Sequence, residues 1–169
     1  VAEYAAEHRL STEEAGRQIR YDFFEHCAEK FGENAKIATA HSLSDCAETF
    51  IFNAARGTGL SGLCGIPKKR KNIIRPLIGF TRAELEEYCA QKGVCFVTDS
   101  TNLERDYTRN KIRLDVIPVL KNINPSLEST IARMSTQMRQ NEKFITDCAE
   151  KSLAEAETPS GYKTAILSR

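Results

Sequence analysis

The feature that most limits how this chain can fold is an alternation of capped helical stretches with short apolar runs. Residues 11–32, 44–55 and 81–93 combine helical periodicity with capping residues. Around them lie "AKIATA", "IIRPLIGF" and "VCFVTDSTN", which are short and strand-like. Helices between successive strands favour a parallel sheet with crossover helices. The sequence therefore predicts an α/β fold with a parallel sheet.

The second part of the chain has a different pattern. From residue 107 onward the sequence is almost entirely helical, with expected breaks at Pro118 and Pro125. We predict an α/β domain over residues 1–118 and a mainly helical linker, or the start of a second domain, over residues 119–169.

Composition limits the class of protein. The 169 residues carry a net charge of only +1, so a surface for nucleic acid must come from local clustering. The apolar runs are too short for a membrane span, and we expect no membrane partner. The six cysteines are scattered without a CxxC pair, which favours reduced thiols in a cytoplasmic protein without a zinc site.

Polar and acidic residues follow the strand-like run "AKIATA". His41 lies just before the next helix, and Asp45 and Glu48 share a face of it. An imidazole and two carboxylates at a strand end could transfer protons or hold a phosphate-bound Mg²⁺. The alternative is a helix cap, in which Ser44 or Asp45 is the N-cap and Glu48 completes a capping box. These residues alone support either interpretation.

A basic segment, "RDYTRNKIR", follows the last predicted strand. Four-residue spacing places Arg109 and Arg113 on one helical face, where two guanidinium groups suit phosphate oxygens. Tyr107 could stack on an unpaired base, and Asn110 lies between them. The alternative is a solvated helix start. The run "KKRK" at 68–71 adds positive charge or forms an exposed loop.

Four stretches together resemble the bacterial tRNA(Ile)-lysidine synthetases, which belong to the PP-loop ATP pyrophosphatases. These are "AHSLSDCAETFIFNAARGTGLSGLCGIP", "IIRPLIGFTRAELEEYC", "VTDSTN" and "DYTRNKIRLDVIPVLKNINP". Their order and spacing are similar to the family's over roughly residues 10–135. The resemblance favours the active-site interpretation of the helix start, although capping and catalysis can coexist there.

The resemblance implies an ATP-dependent carbon–nitrogen ligase that acts on the anticodon of an isoleucine tRNA. ATP, with Mg²⁺, would adenylate the wobble cytosine, and the amine of free lysine would then displace AMP. The family's signature residues carry over to His41, Asp45 and Glu48 as catalytic groups. Its RNA-contacting segment carries over to Tyr107, Arg109, Asn110 and Arg113. Arg75 could reach a nucleotide phosphate, and it could equally be a structural residue at a strand end.

The sequence also departs from the family pattern. Ser42, Ser44 and Cys46 replace a His, an Asp and a Gln of the signature, which puts a two-carboxylate metal site in doubt. The family's SGGxDS phosphate loop is missing from these 169 residues. We therefore expect a partial PP-loop domain that is inactive by itself and that self-associates, for example as a homodimer, through its exposed sheet edge.

Three alternatives remain at this stage. The first is another PP-loop enzyme such as a tRNA cytidine thiolase, although that class uses cysteine pairs that this chain lacks. The second is an RNA-binding module without catalysis, built on the basic segment. The third is an amidating pyrophosphatase of the same fold that acts on a small acid.

Overall fold

The computed structural model describes residues 1–32, 34–97 and 108–156. The helices and strands are short apart from three helices, and they follow in this order: α1 Ala2–His8, α2 Thr12–Lys30, β1 Ile37–Ala38, α3 Leu43–Arg56, α4 Leu60–Leu63, β2 Lys69–Arg70, β3 Ile73–Ile74, α5 Arg82–Lys92, α6 Thr108–Lys111, a π-helical segment Ile112–Val116, α7 Ile117–Ile123 and α8 Leu127–Ala156. The chain forms two units, which are described separately below.

The first unit contains Val1–Ala40 and Lys68–Pro76, and it holds a three-stranded sheet. β1 pairs with β3 in parallel, with Ile37 opposite Ile73, as the alternating pattern predicts. β2 pairs with β3 in antiparallel orientation, so the sheet is mixed and not purely parallel. The basic run expected to be a loop or a phosphate-attracting segment thus contributes this third strand.

Helix α2 in the first unit begins as its sequence predicts. The Ser11 hydroxyl accepts a hydrogen bond from the Glu14 N–H, and the Glu14 carboxylate accepts one from the Ser11 N–H. This reciprocal arrangement satisfies two N–H groups that a helix start would otherwise leave without acceptors. A local four-residue motif therefore determines where α2 begins.

The second unit contains His41–Pro67 and the described residues from Leu77 onward, and it is helical. α3 begins at Leu43, capped by Ser42 with Asp45 in the N3 position. This corrects the prediction that Ser44 or Asp45 is the N-cap and that Glu48 completes the box. The run "VCFV" at 94–97, predicted to begin a strand, is not a strand. The rest of that predicted strand lies within residues 98–107, outside the described residues.

The helical path runs through Pro118 without a break. Pro118 lies in the first turn of α7, directly after the π-helical segment, and proline is tolerated at the first positions of an α-helix. The break comes at Asn124, whose side-chain oxygen accepts from the Ser126 N–H at 3.0 Å before α8 begins. Within the described residues no helix is both long and apolar enough to cross a membrane. The division at residues 118/119 into two domains stays a prediction.

Helices α3 and α4 pack against the long helix α8. Cys64, at the end of α4, is buried, and its thiol donates a hydrogen bond to Glu142 Oε2 on α8 at 3.1 Å. Burial first, and then the hydrogen bond to the Glu142 carboxylate and its charge, raise the pKa of the Cys64 thiol from 9.0 to about 11. The Arg139 guanidinium, which donates to the Cys64 carbonyl, opposes this shift.

We expect Cys64 to react slowly with iodoacetamide at pH 8. A pKa near 11 in place of 9.0 lowers the thiolate fraction about a hundredfold, and burial slows access further. Peptide mapping after timed alkylation measures the rate, with the exposed Cys95 as the internal control. Denaturant should bring the two rates together. Equal rates in the folded protein would contradict the packing of α4 on α8.

The cap of α5 gives a pH-dependent prediction. The Thr81 N–H and, second, its hydroxyl donate to Glu84 and lower the pKa of that carboxyl below 4.5. Because the charged form is favoured in the folded state, this contribution to stability is present above pH 4.5. It is lost as the pH falls through the lowered folded value.

The Thr81→Ala variant should therefore unfold more easily at pH 7, by about 1 kcal/mol for loss of a cap. The difference from the wild type should shrink as the pH falls below 4.5. Urea unfolding at several pH values measures it. Thr136→Ala is the matched control, because the Thr136 hydroxyl donates to the Ala132 carbonyl and involves no carboxylate. A cap contribution that does not change with pH would count against the hydrogen bond from the Thr81 hydroxyl to Glu84, which is the one that the variant removes.

Candidate functional site

The candidate site lies in the second unit, at the first turns of α3. Ser42 is 3% exposed, and both its N–H and its hydroxyl donate to Asp45 Oδ2, at 2.7 and 2.8 Å. The Leu43 N–H donates to the Phe80 carbonyl at 2.7 Å, so this N–H is used within the protein. The helix start is thus a fixed frame from which the next side chains project.

Glu48 lies on the next turn of α3 and is only 6% exposed. Its two carboxylate oxygens accept hydrogen bonds from Arg113 Nε and Nη2, at 2.6 and 2.8 Å. This paired geometry is the strongest form of ion pair that an arginine makes. The hydrogen bond from Arg113 to Glu48 raises the pKa of the guanidinium, and partial burial opposes that shift.

A second guanidinium group completes the cluster. Arg82 Nη2 lies 3.2 Å from Asp45 Oδ1 and 3.8 Å from Glu48 Oε1. Two carboxylates therefore face two guanidinium groups, and the cluster is balanced in charge. We call Asp45, Glu48, Arg82 and Arg113 the acid–arginine cluster.

Arg82 was not among the residues predicted from the sequence. It occupies the first helical position of α5, directly after the Thr81 cap. A cation there faces the positive end of the helix dipole, which is unfavourable unless a carboxylate lies nearby. That unfavourable position was the signal in the sequence that Arg82 has an acidic partner.

A buried polar network lies directly behind the cluster. The Ser44 hydroxyl donates to Glu128 Oε1 at 2.6 Å and accepts from the Arg82 N–H at 3.0 Å. Lys121 lies 2.8 Å from the other oxygen of Glu128. Ser44 is one of the departures from the family pattern, and its contacts explain it. An aspartate at position 44 would place a second carboxylate against the buried Glu128.

The other two departures also have structural roles. Ser42 is the N-cap of α3, a role for which a short hydroxyl is well suited. Cys46 is buried, and its sulfur lies 4.0 Å from the Ile66 carbonyl.

The arginines of the basic segment both contact α3. Arg113 binds Glu48, and the guanidinium of Arg109 lies 5.6 Å from the centre of the Phe52 ring. Glu48 and Phe52 are one turn apart, as are the two arginines, so the shared face that the spacing predicts exists. Its surroundings differ from the prediction, because this face is directed toward α3.

The remaining predicted residues are distributed as follows. His41 is half-buried directly before the Ser42 cap, and Asn110 is buried. Arg75 is buried in the first unit, where its backbone N–H donates to the Lys68 carbonyl at 3.0 Å. Tyr107 lies outside the described residues. The catalytic, nucleotide-binding and RNA-binding roles of these residues stay predictions.

The acid–arginine cluster does not fit a Mg²⁺ site as it is arranged. Its two carboxylates already accept hydrogen bonds from two guanidinium groups, which leaves fewer oxygens than the near-octahedral set that Mg²⁺ requires. The part of the chain that the structure describes also contains no group of three His, Cys, Asp or Glu side chains suited to a metal ion. The site can instead accept protons and position a cationic or polar group.

Comparison with known proteins identifies the family. Residues 1–120 match the PP-loop domain family. A Thermosipho africanus protein named tRNA(Ile)-lysidine synthase is 44% identical to this chain, over 85% of this chain and 34% of the relative. A Bacteroides thetaiotaomicron protein of the same name is 41% identical, over 98% of this chain and 38% of the relative. The relative of that name in Clostridium acetobutylicum is 40% identical over 100% of this chain and 39% of its own length.

The chain thus spans little more than a third of the length of these curated relatives. The family match covers well over half of the chain and includes the strands of the sheet, the capped start of α3 and the arginine of the π-helical segment. Taken with the α/β arrangement, this match shows that the chain belongs to the PP-loop family.

Proposed function

We propose that this chain is part of an ATP-dependent ligase that joins lysine to the wobble cytidine of an isoleucine tRNA. The relatives named tRNA(Ile)-lysidine synthase support the substrate, and the PP-loop match supports the use of ATP. The single structural observation that carries the proposal is the buried pair of Glu48 and Arg113, because it joins the two most specific sequence signatures at one point.

The proposed reaction has two steps. The carbonyl oxygen of the cytosine attacks the α-phosphate of ATP, and pyrophosphate leaves. The amine of lysine then attacks the ring carbon that carries this oxygen, and the oxygen leaves as part of AMP. Mg²⁺ enters this proposal only as the counterion of the ATP phosphates, since the acid–arginine cluster does not fit a metal. The cytoplasm is the proposed location.

The cluster would serve the second step. An amine is a nucleophile only when it is neutral, and the nitrogen that attacks must lose protons as the new bond forms. Asp45 and Glu48 both face guanidinium groups, and carboxylate oxygens accept hydrogen bonds from an amine. These oxygens could therefore orient the lysine ammonium and accept its proton. His41, which directly precedes the N-cap of α3, would contact the reacting phosphate.

Replacing Glu48 with glutamine should reduce lysidine formation by about a hundredfold or more, the usual contribution of a positioned proton acceptor. The assay uses the full-length protein, a tRNA transcript, ATP and lysine, with nucleoside mass as the readout. Glu86→Gln, which removes an exposed carboxylate of α5, is the matched control and should retain full activity.

Folding must be measured alongside activity, because losing one partner of a buried ion pair costs about 3–5 kcal/mol. The glutamine oxygen can still accept from Arg113, so the variant should remain folded at 25 °C. A folded Glu48→Gln protein with an unchanged rate would refute the role of Glu48. Lysine-independent RNA binding without ligation by the wild type would instead indicate a binding module.

The 169-residue chain alone should not catalyse ATP–pyrophosphate exchange. It corresponds to 34–39% of the relatives' length, so groups that the reaction requires are expected in the remaining part. Incubation with ATP, labelled pyrophosphate and tRNA tests this, with the full-length protein as the positive control. Exchange by the short chain above the background without protein would overturn this expectation.

A further inference from the structure

The side chain of Arg82 brings one nitrogen to both carboxylates of the acid–arginine cluster. Its Nη2 lies 3.2 Å from Asp45 Oδ1 and 3.8 Å from Glu48 Oε1. An ammonium group has three N–H donors on a single nitrogen, so an amine at the same point would contact both carboxylates. Arg82 therefore occupies a position that suits the ammonium group of a ligand.

The two arginines of the cluster are held to different degrees. Arg113 binds Glu48 through two nitrogens, at 2.6 and 2.8 Å, and its side chain is 22% exposed. Arg82 binds the carboxylates through one hydrogen bond at 3.2 Å, and its side chain is 39% exposed. A partly exposed pair of this kind contributes little free energy, because water screens it and the long side chain loses freedom. Arg82 is thus the cation of the cluster that can be exchanged.

The backbone at Arg82 is fixed although its side chain is partly exposed. Its N–H donates to the Ser44 hydroxyl at 3.0 Å, and that hydroxyl donates to the buried Glu128. A change of side-chain rotamer would therefore move the guanidinium and leave the start of α5 in place. The helix dipole of α5 disfavours a cation at this end, so the carboxylates of α3 hold the charge there.

We propose that Arg82 is an internal stand-in for the side-chain ammonium group of the substrate. When lysine binds, its ammonium group takes the place of Nη2 at Asp45 and Glu48, and the Arg82 side chain turns toward solvent. The exchange of one cation for another keeps the cluster balanced in charge. The inference rests on the proposed function for the identity of the amine. It gives Arg82 a role in amine selection, separate from that of Arg113, which keeps Glu48 in place.

The Arg82→Met variant should bind lysine about fivefold more tightly than the wild type, as expected for one partly screened charge pair. It has two carboxylates and only one guanidinium group, and lysine no longer displaces an internal cation. Isothermal titration of lysine into the full-length protein, without ATP or tRNA, measures the dissociation constant. An unchanged or weaker affinity would overturn the proposal, because that result is expected of an arginine that only holds the carboxylates in position.

Arg133→Met is the matched control. Arg133 is exposed on α8 of the same unit, and the substitution removes the same charge. Its affinity for lysine should equal that of the wild type. An equal gain in Arg133→Met and Arg82→Met would show a general effect of charge and would refute the exchange at Arg82.

Norleucine identifies the group that replaces the guanidinium. It carries the α-ammonium and carboxylate groups of lysine, and its side chain lacks the amine. Arg82→Met should therefore bind norleucine no more tightly than the wild type does. A gain for norleucine as large as the gain for lysine would exclude the side-chain ammonium group as the replacement.

The variant should remain folded. Its backbone N–H can still donate to Ser44, and the substitution removes a cation from the unfavourable end of α5. Urea unfolding checks this. If Arg82→Met does not fold, Arg82→Gln provides the same comparison, because glutamine is also neutral. The proposal requires tighter lysine binding in whichever variant folds.

Lysine binding also separates this inference from the proposed ligation. If the full-length protein forms no lysidine but Arg82→Met still binds lysine more tightly, the ligase proposal fails and the ammonium site stands. If the wild type forms lysidine and the KM for lysine is not lowered in Arg82→Met, the stand-in role fails and the ligase proposal stands.

Discussion

The pairing of Glu48 with Arg113 is the interaction on which the rest of the second unit depends. Removing a carboxylate from water is costly, and Glu48 is 6% exposed, so its ionised form requires a partner with good geometry. Arg113 supplies two hydrogen bonds at 2.6 and 2.8 Å. This requirement ties the π-helical segment to α3 at one position and thereby fixes where Arg109, one turn earlier, meets the same helix.

The π-helical segment fits this role. Ile112–Val116 forms one wide helical turn between α6 and α7. Such π-helical turns are rare in proteins, and those that occur are often found at functional sites. It carries Arg113, and neighbouring Ile112 is buried. Along α3 the contacts follow in order, with Arg82 at Asp45, Arg113 at Glu48 and Arg109 at Phe52. One face of one helix therefore organises residues from two separate segments, the start of α5 and residues 108–116.

The network behind the cluster explains how the chain tolerates its departures from the family signature. Ser44 and Glu128 are both buried, and their hydrogen bond spans 84 residues of sequence. Lys121 balances the charge of Glu128. Because Ser44 also accepts from the Arg82 N–H, the network holds the start of α5 beside the start of α3. Ser44, one of these departures, thus joins α3 to both α5 and α8.

The amino-acid sequence by itself determined the local features of this protein. The capping boxes at Ser11 and Thr81, the parallel pairing of β1 with β3 and the membership of the PP-loop family all follow from residues close together or from ordered motifs. Capping is readable because its hydrogen bonds span only three residues.

Tertiary structure alone decided which candidate served which purpose. Ser42 is the cap of α3, which leaves Glu48 available for Arg113, 65 residues away. Arg82 enters the site and Arg109 meets Phe52 for the same reason. Ion pairs and ring contacts between distant segments depend on how the helices pack. The spacing of residues along the chain does not show which distant side chains this packing brings together.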